Sequence, residues 1–165
     1  MDILDRFLEH NAWATMRLIE QSRSLTELEL DQQFDIGLRT VRATTDHIIE
    51  NIEWWTDLMN AAPPRTFENL GEDPMTLDGF AKRLAVVTAE FANVARLKQA
   101  HGQLDDHWPE RIDQTKSYTY CTTVVHVLTH AAHHRGQWMY MLKRLGVRDV
   151  IVAQALSLGG GDDTK

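Results

Sequence analysis

Between positions 77 and 97 the apolar residues Leu77, Phe80, Leu84, Val87, Phe91, Val94 and Leu97 recur at intervals of three or four. That period lines one face of an α-helix and cannot serve a strand, whose faces alternate every two residues. Thr76 is expected to cap this segment and Gly102 to close it. Three further segments share the period. Residues 2–24 carry Ile3, Leu4, Phe7, Leu8, Asn11, Ala14, Leu18 and Ile19 along one face, with acids early, where they suit the helix dipole. Residues 41–60 follow Thr40, gather His47, Asn51, Trp54, Trp55 and Leu58 on one side, and are stopped by Pro63-Pro64. Residues 119–145 end in Lys143 and Arg144, with Gly146 as a left-handed cap and Leu128, Ala131, Ala132, Met139 and Leu142 as the expected core stripe.

A helix of roughly 20 residues spans ~30 Å, and one with a single apolar face is stable only against a neighbour. The sequence therefore predicts an all-α four-helix bundle. The connections 25–40, 61–75 and 101–118 are long for simple helical hairpins, which permits packing out of sequence order. The last of them, with Pro109, is expected to hold a short hairpin or a turn of helix. With 165 residues, against roughly 150 per domain, the reading is a single domain over 1–147. A tail, 148–165, is expected to dock through its apolar start and be disordered in its GGGDDTK end.

Charge excludes some partners. A net charge of -7 gives no general attraction to nucleic acid or anionic lipid. The longest aliphatic run, residues 150–153, is far short of the ~18 residues that a membrane span needs. The acidic start MDILDRFLEHNAW does not read as a signal peptide, so a cytoplasmic location is expected. The single cysteine, Cys121, forms no intrachain disulfide and is read as a packing residue.

The chemistry lies in the histidines. Of eight, four are His126, His130, His133 and His134. At about 100° per residue these four occupy roughly one third of a helix circumference. Chance gives about 0.4 histidine pairs at the i, i+4 spacing of helical neighbours, whereas 126/130 and 130/134 make two. An HxxxH pair brings two imidazole nitrogens within reach of one borderline-soft cation, and a third neutral donor from another helix leaves a fourth position open. His47, on the apolar side of the second helix, is the best third donor. Ala131 follows His130, so this is not the HExxH motif of a metalloprotease, and no ExxH of the di-iron bundle type occurs. Gly136, inside the fourth helix, suggests close packing or access to a site.

Three segments point together: His10-Asn11-Ala12-Trp13-Ala14, Asp46-His47-Ile48-Ile49-Glu50 followed by Trp54-Trp55, and His130-Ala131-Ala132-His133-His134-Arg135-Gly136-Gln137. Over residues 1–147 the chain resembles the DinB-like (DinB/YfiT) family of metal-dependent enzymes, and the HHRGQ string is the most specific part of the likeness. Thr129 stands where the family often has Asn. The resemblance implies a four-helix bundle of up-down-down-up topology, commonly a homodimer. It also implies a divalent metal held by His47, His130 and His134, and in some members transfer of low-molecular-weight thiols such as bacillithiol or mycothiol.

The expected function is activation of a small thiol by Zn²⁺ or Ni²⁺ for attack on an electrophilic small-molecule substrate. A hydrolase using metal-activated water and a non-catalytic metal- or ligand-binding dimer are the alternatives. His126, His133 and Gln137 border the proposed ligands and are candidates for orienting them or binding substrate. Trp13, Trp55, Met139 and Met141 are candidates for a pocket wall, although residues of these types are more often core. Surface positions are expected for His10, His101 and His107, and Glu50 and Glu53 read as a solvated face.

Overall fold

The computed structural model describes residues 2–66, 68, 70–109 and 117–150. Helix α1, Ile3–Ser22, is opened by a capping box in which the Asp2 carboxylate accepts from the Asp5 N–H at 2.9 Å and the Asp5 carboxylate accepts from the Asp2 N–H. The first connection contains a four-residue helix that the periodicity did not reveal. This is α2, Glu27–Leu30, with its own Thr26/Glu29 capping box; a single turn is too short to show a repeat. Helix α3, Val41–Met59, starts where Thr40 Oγ1 accepts from the Ala43 N–H. It ends ahead of the proline pair, as Ala61 takes a left-handed φ of 53°. Helix α4, Leu77–Ala100, runs from the Thr76 cap toward Gly102, at φ 67°. Of the two forms expected for the last connection, paired strands are present and not a turn of helix among the described residues: β1, His107–Pro109, pairs antiparallel with β2, Ser117–Thr119, with Trp108 opposite Tyr118. Helix α5, Tyr120–Arg144, is capped by Thr119, and Gly146 follows it at φ 81°.

Cross-helix contacts fix the helix directions. Asp5 meets Arg96 and Arg23 meets Asp78, so α1 and α4 run antiparallel. Arg83 reaches Asp46, and Arg65 bridges Asp57 to Glu90, so α3 and α4 run parallel. His47 meets His130 while Trp55 meets His126, so α3 and α5 run antiparallel. Asn11 meets Arg135 and Ser22 meets Trp138, so α1 and α5 run parallel. Around the bundle the order is α1, α4, α3, α5, and along the chain the long helices run up, down, down, up. Each long connection therefore crosses an end or a length of the bundle instead of folding back as a hairpin.

The core is built from fully buried side chains, among them Leu18, Ile48, Phe80, Leu84, Trp138 and Leu142. It differs from the expected stripes in three places. Ile3 is 74% exposed and Phe7 56%, because that end of α1 meets α4 through Asp5–Arg96 and Asp2–Gln99, which leaves the apolar pair outside. Leu97 is likewise exposed. On α5 the buried stripe passes through Val127, Ala131 and Trp138, while Ala132 lies outside. The true core face is thus turned toward the histidine side of the helix.

Glu53 is also not solvated. It is buried with Arg83, which donates to its carboxylate at 2.7 and 3.1 Å and to Asp46 at 2.7 Å, tying α3 to α4. Gln21 Nε2 donates to the Asp149 carbonyl at 3.0 Å, and Val150 packs partly buried against the core. The rest of the tail, including the expected disordered end, lies outside the described residues. Among the described residues no helix is long and apolar enough to cross a membrane.

Candidate metal centre

Because α3 and α5 are antiparallel neighbours, the middle of one faces the middle of the other. His47 meets two residues one turn apart on α5. The His47 and His130 Nε2 atoms are 3.1 Å apart. Ring centroids are separated by 4.9 Å (His47–His130), 4.8 Å (His47–His134) and 4.4 Å (His130–His134). One nitrogen of each ring lies within 4.8 Å of the others, and all three residues are half-buried. Adjacent nitrogens on a tetrahedral zinc, at about 2.0–2.1 Å from the metal, lie about 3.3 Å apart. The 3.1 Å between His47 and His130 is close to that separation, and the three-histidine group could hold a metal ion.

Electrostatics agree with that donor set. Burial, followed by the charges of the neighbouring histidines, pushes the pKa of His130 down to about 4. Burial also lowers His134, against the opposing effect of its hydrogen bond with Gln137. Neutral imidazole is the form with a lone pair to give, so both rings are ligand-competent at neutral pH without first losing a proton.

The remaining candidates fall at different distances. Gln137 Oε1 lies 2.9 Å from His134 Nδ1, and Gln137 Nε2 lies 2.9 Å from His133 Nε2. His133 and His126 are both exposed. His126 stands between His130, at 5.6 Å, and Trp55, at 5.2 Å. Trp55 belongs to an aromatic group with Trp108 and Tyr118 of the hairpin. Trp13 packs against His10 instead. Met141 is fully buried in the core and Met139 packs partly buried against it. His101 and His107 are exposed, as expected. His10 is not: it is half-buried, its Nδ1 has no hydrogen-bond partner, and burial and the nearby Arg135 lower its pKa.

Sequence reasoning missed two features. Gly37, between α2 and α3, lies against the Gln137 amide so closely that a Cβ there would overlap it. Its φ of 48° already favours glycine. The other is Arg135, quoted within a motif but not weighed. It is buried and held by Asn11 and Thr15 of α1. An arginine at a core position of a periodic helix was the available signal.

A cavity of about 230 Å³ lies roughly a quarter turn around α3 from His47, lined by Asp46, Glu50, Glu53, Trp54 and Arg83 among others. Arg83 is matched there to Asp46 and Glu53, and Arg65 to Asp57 and Glu90. These ion pairs account for both arginines without a ligand.

Comparison with known proteins gives a consistent result. The sequence model of the DinB family matches residues 1–157. A crystal structure of a DinB-like protein from Bacillus cereus ATCC 10987 superposes with a TM-score of 0.64 at 18% identity, over 90% of this chain and 94% of that one. At that identity the likeness is one of fold. No curated protein matches the chain.

Proposed function

The chain belongs to the DinB family, and from that premise we propose that His47, His130 and His134 hold a divalent cation, zinc or nickel, at which a low-molecular-weight thiol is activated for transfer to an electrophile. The observation that carries the reading is the convergence of three half-buried imidazoles from two helices. A divalent cation held by three neutral nitrogens keeps a position open and lowers the pKa of a thiol or water that reaches it. The residues supply the rest. Burial keeps His130 and His134 unprotonated, Gln137 occupies Nδ1 of His134, and Trp55 with His126 stands beside His130 as an aromatic wall.

A thiol is favoured over water by what the cluster contains. Among the described residues the group holds three histidines and no carboxylate, so its donor set offers no carboxylate to take a proton from what binds there, and that molecule's own acidity counts. A thiol with an ordinary pKa of about 8.5 needs far less help to ionise than water at about 15.7.

The test is a panel of bacillithiol, mycothiol, glutathione and cysteine, each offered with an electrophile to zinc- or nickel-loaded protein. Thiol consumption above that of His47→Ala supports the reading. Ester or amide hydrolysis without any thiol would replace it with a hydrolase. Metal binding with neither activity would leave a binding module.

A further inference from the structure

Gln137 is placed to decide which nitrogen of His134 carries the proton. Its two amide atoms are used by two different rings, Oε1 at 2.9 Å from His134 Nδ1 and Nε2 at 2.9 Å from His133 Nε2. An amide oxygen only accepts and an amide nitrogen only donates. The pair of contacts is satisfied when His134 donates from Nδ1–H and His133 accepts at Nε2. His134 then has its lone pair on Nε2. The amide is backed by Gly37: a side chain there would occupy the space of Oε1. The loop around Gly37 is itself tied down, as the Phe34 N–H donates to the Arg39 carbonyl at 2.8 Å and the Arg39 N–H to the Ile36 carbonyl at 2.9 Å. The same loop ends in Thr40, the cap of the helix that carries His47. By contrast, His130 Nδ1 is buried with no hydrogen-bond partner, so of the two clustered histidines on α5 it is His134 whose ring nitrogen is held by a side chain outside the cluster.

We propose that Gln137 is a positioning residue that locks His134 in its Nδ1–H tautomer with Nε2 free for the shared centre, and that Gly37 is the floor keeping the Gln137 amide in place. The consequence for metal affinity rests on the proposed function; the tautomer does not. Hydrogen-bond partners of ligating histidines are typically worth 10- to 100-fold in metal affinity.

Two readouts test it, neither of them activity. In long-range ¹H–¹⁵N spectra of the metal-free, histidine-labelled protein above pH 7.5, His134 should appear as the Nδ1–H form. Gln137→Leu should convert it wholly or partly to Nε2–H, and Gln137→Glu, which keeps an acceptor oxygen, should retain it. In competition titrations with a zinc chelator, Gln137→Leu should bind zinc 10- to 100-fold more weakly than the unaltered protein, with Gln137→Glu restoring most of the loss. Gly37→Ala should weaken zinc in the same direction. Because it also strains a backbone at φ 48°, Gln137→Leu carries the decision. An unaltered protein with His134 in the Nε2–H form would overturn the proposal, as would a Gln137→Leu variant with unchanged tautomer and unchanged zinc affinity. If the unaltered chain bound no zinc, the metal role would fall together with the proposed function, while the spectra would still decide the hydrogen bond.

Discussion

Arg135 donates to Asn11 Oδ1 at 2.5 Å across the α1–α5 interface and to Thr15 Oγ1 at 3.1 Å, with 5% of the residue exposed. Among the described residues no carboxylate pairs with it. Burial lowers its pKa to about 10, which still leaves it charged at neutral pH. An amide oxygen and a hydroxyl therefore do the work usually given to a counter-ion. The contact joins the HNAWA and HHRGQ segments and sets α1 against the helix that carries two of the three clustered histidines.

Asn11→Leu removes the stronger acceptor and should destabilise the protein by about 2–4 kcal/mol, the range for stranding a buried charge. Urea titrations read at equilibrium should show a lower midpoint with an unchanged slope. A loss below about 0.5 kcal/mol, the level of an ordinary surface change, would mean that Thr15 or solvent holds the guanidinium instead.

Arg83 is the second buried cation, here with partners of opposite charge. Its side chain is 5% exposed and that of Glu53 6%. Arg83→Met should cost about 3–5 kcal/mol by leaving Glu53 buried without its partner. The double variant Arg83→Met/Glu53→Leu should recover a large part of that loss, because the stranded charge goes with the second change. Simple additivity of the two single variants in urea denaturation would contradict a direct buried pair.

The helices, their caps and the three converging histidines were legible because each leaves a local signature. Thr40 and Thr76 sit where caps must sit, Thr119 proves to be the cap of a helix it was read as starting, and His47 shares a face with apolar neighbours. Other features depend on what a side chain meets across the bundle. Glu53 reads as solvated until Arg83 of another helix comes beside it, and Ile3 and Phe7 read as core until the polar contacts at that end of α1 are seen. The rotation of the α5 core stripe toward Trp138 follows from where α1 and α3 stand, which periodicity within one helix cannot report. Gly37 acts only through Gln137, one hundred residues away in the chain, and no spacing rule links them.

Zinc or nickel should raise the melting temperature of the metal-free protein. A ligand at 100 times its Kd adds ~2.7 kcal/mol, which for a chain of this size is a rise of about 5–10 °C. His47→Ala and His134→Ala should each abolish that rise. His126→Ala should keep it, since that ring is exposed and outside the group of three. Scanning calorimetry on protein carrying no histidine tag checks all three, and an undiminished rise in His47→Ala would remove α3 from the centre.

The metal-free protein should lose stability as pH falls from 6.5 toward 4, and His130 should account for a measurable share. Its pKa in the folded chain is pushed down to about 4 from an ordinary 6.5. Between those values the unfolded chain binds a proton at this position and the folded chain does not, so stability rises with pH across the window. The contribution is complete above about pH 6.5, declines through the window, and changes no further below about pH 4. Taken at face value the shift is worth ~3 kcal/mol, and allowing for partial solvent access about 1–2 kcal/mol. His10 and His134 are shifted in the same direction and add to the trend. Other groups titrate in this range, so the decisive quantity is a difference. Between pH 7 and pH 4.5 in urea, at fixed ionic strength, the unaltered protein should lose about 1–2 kcal/mol more than His130→Gln. Equal losses in the two proteins would mean that His130 accepts a proton as readily folded as unfolded, so that neither its burial nor the neighbouring imidazoles disfavour the charge.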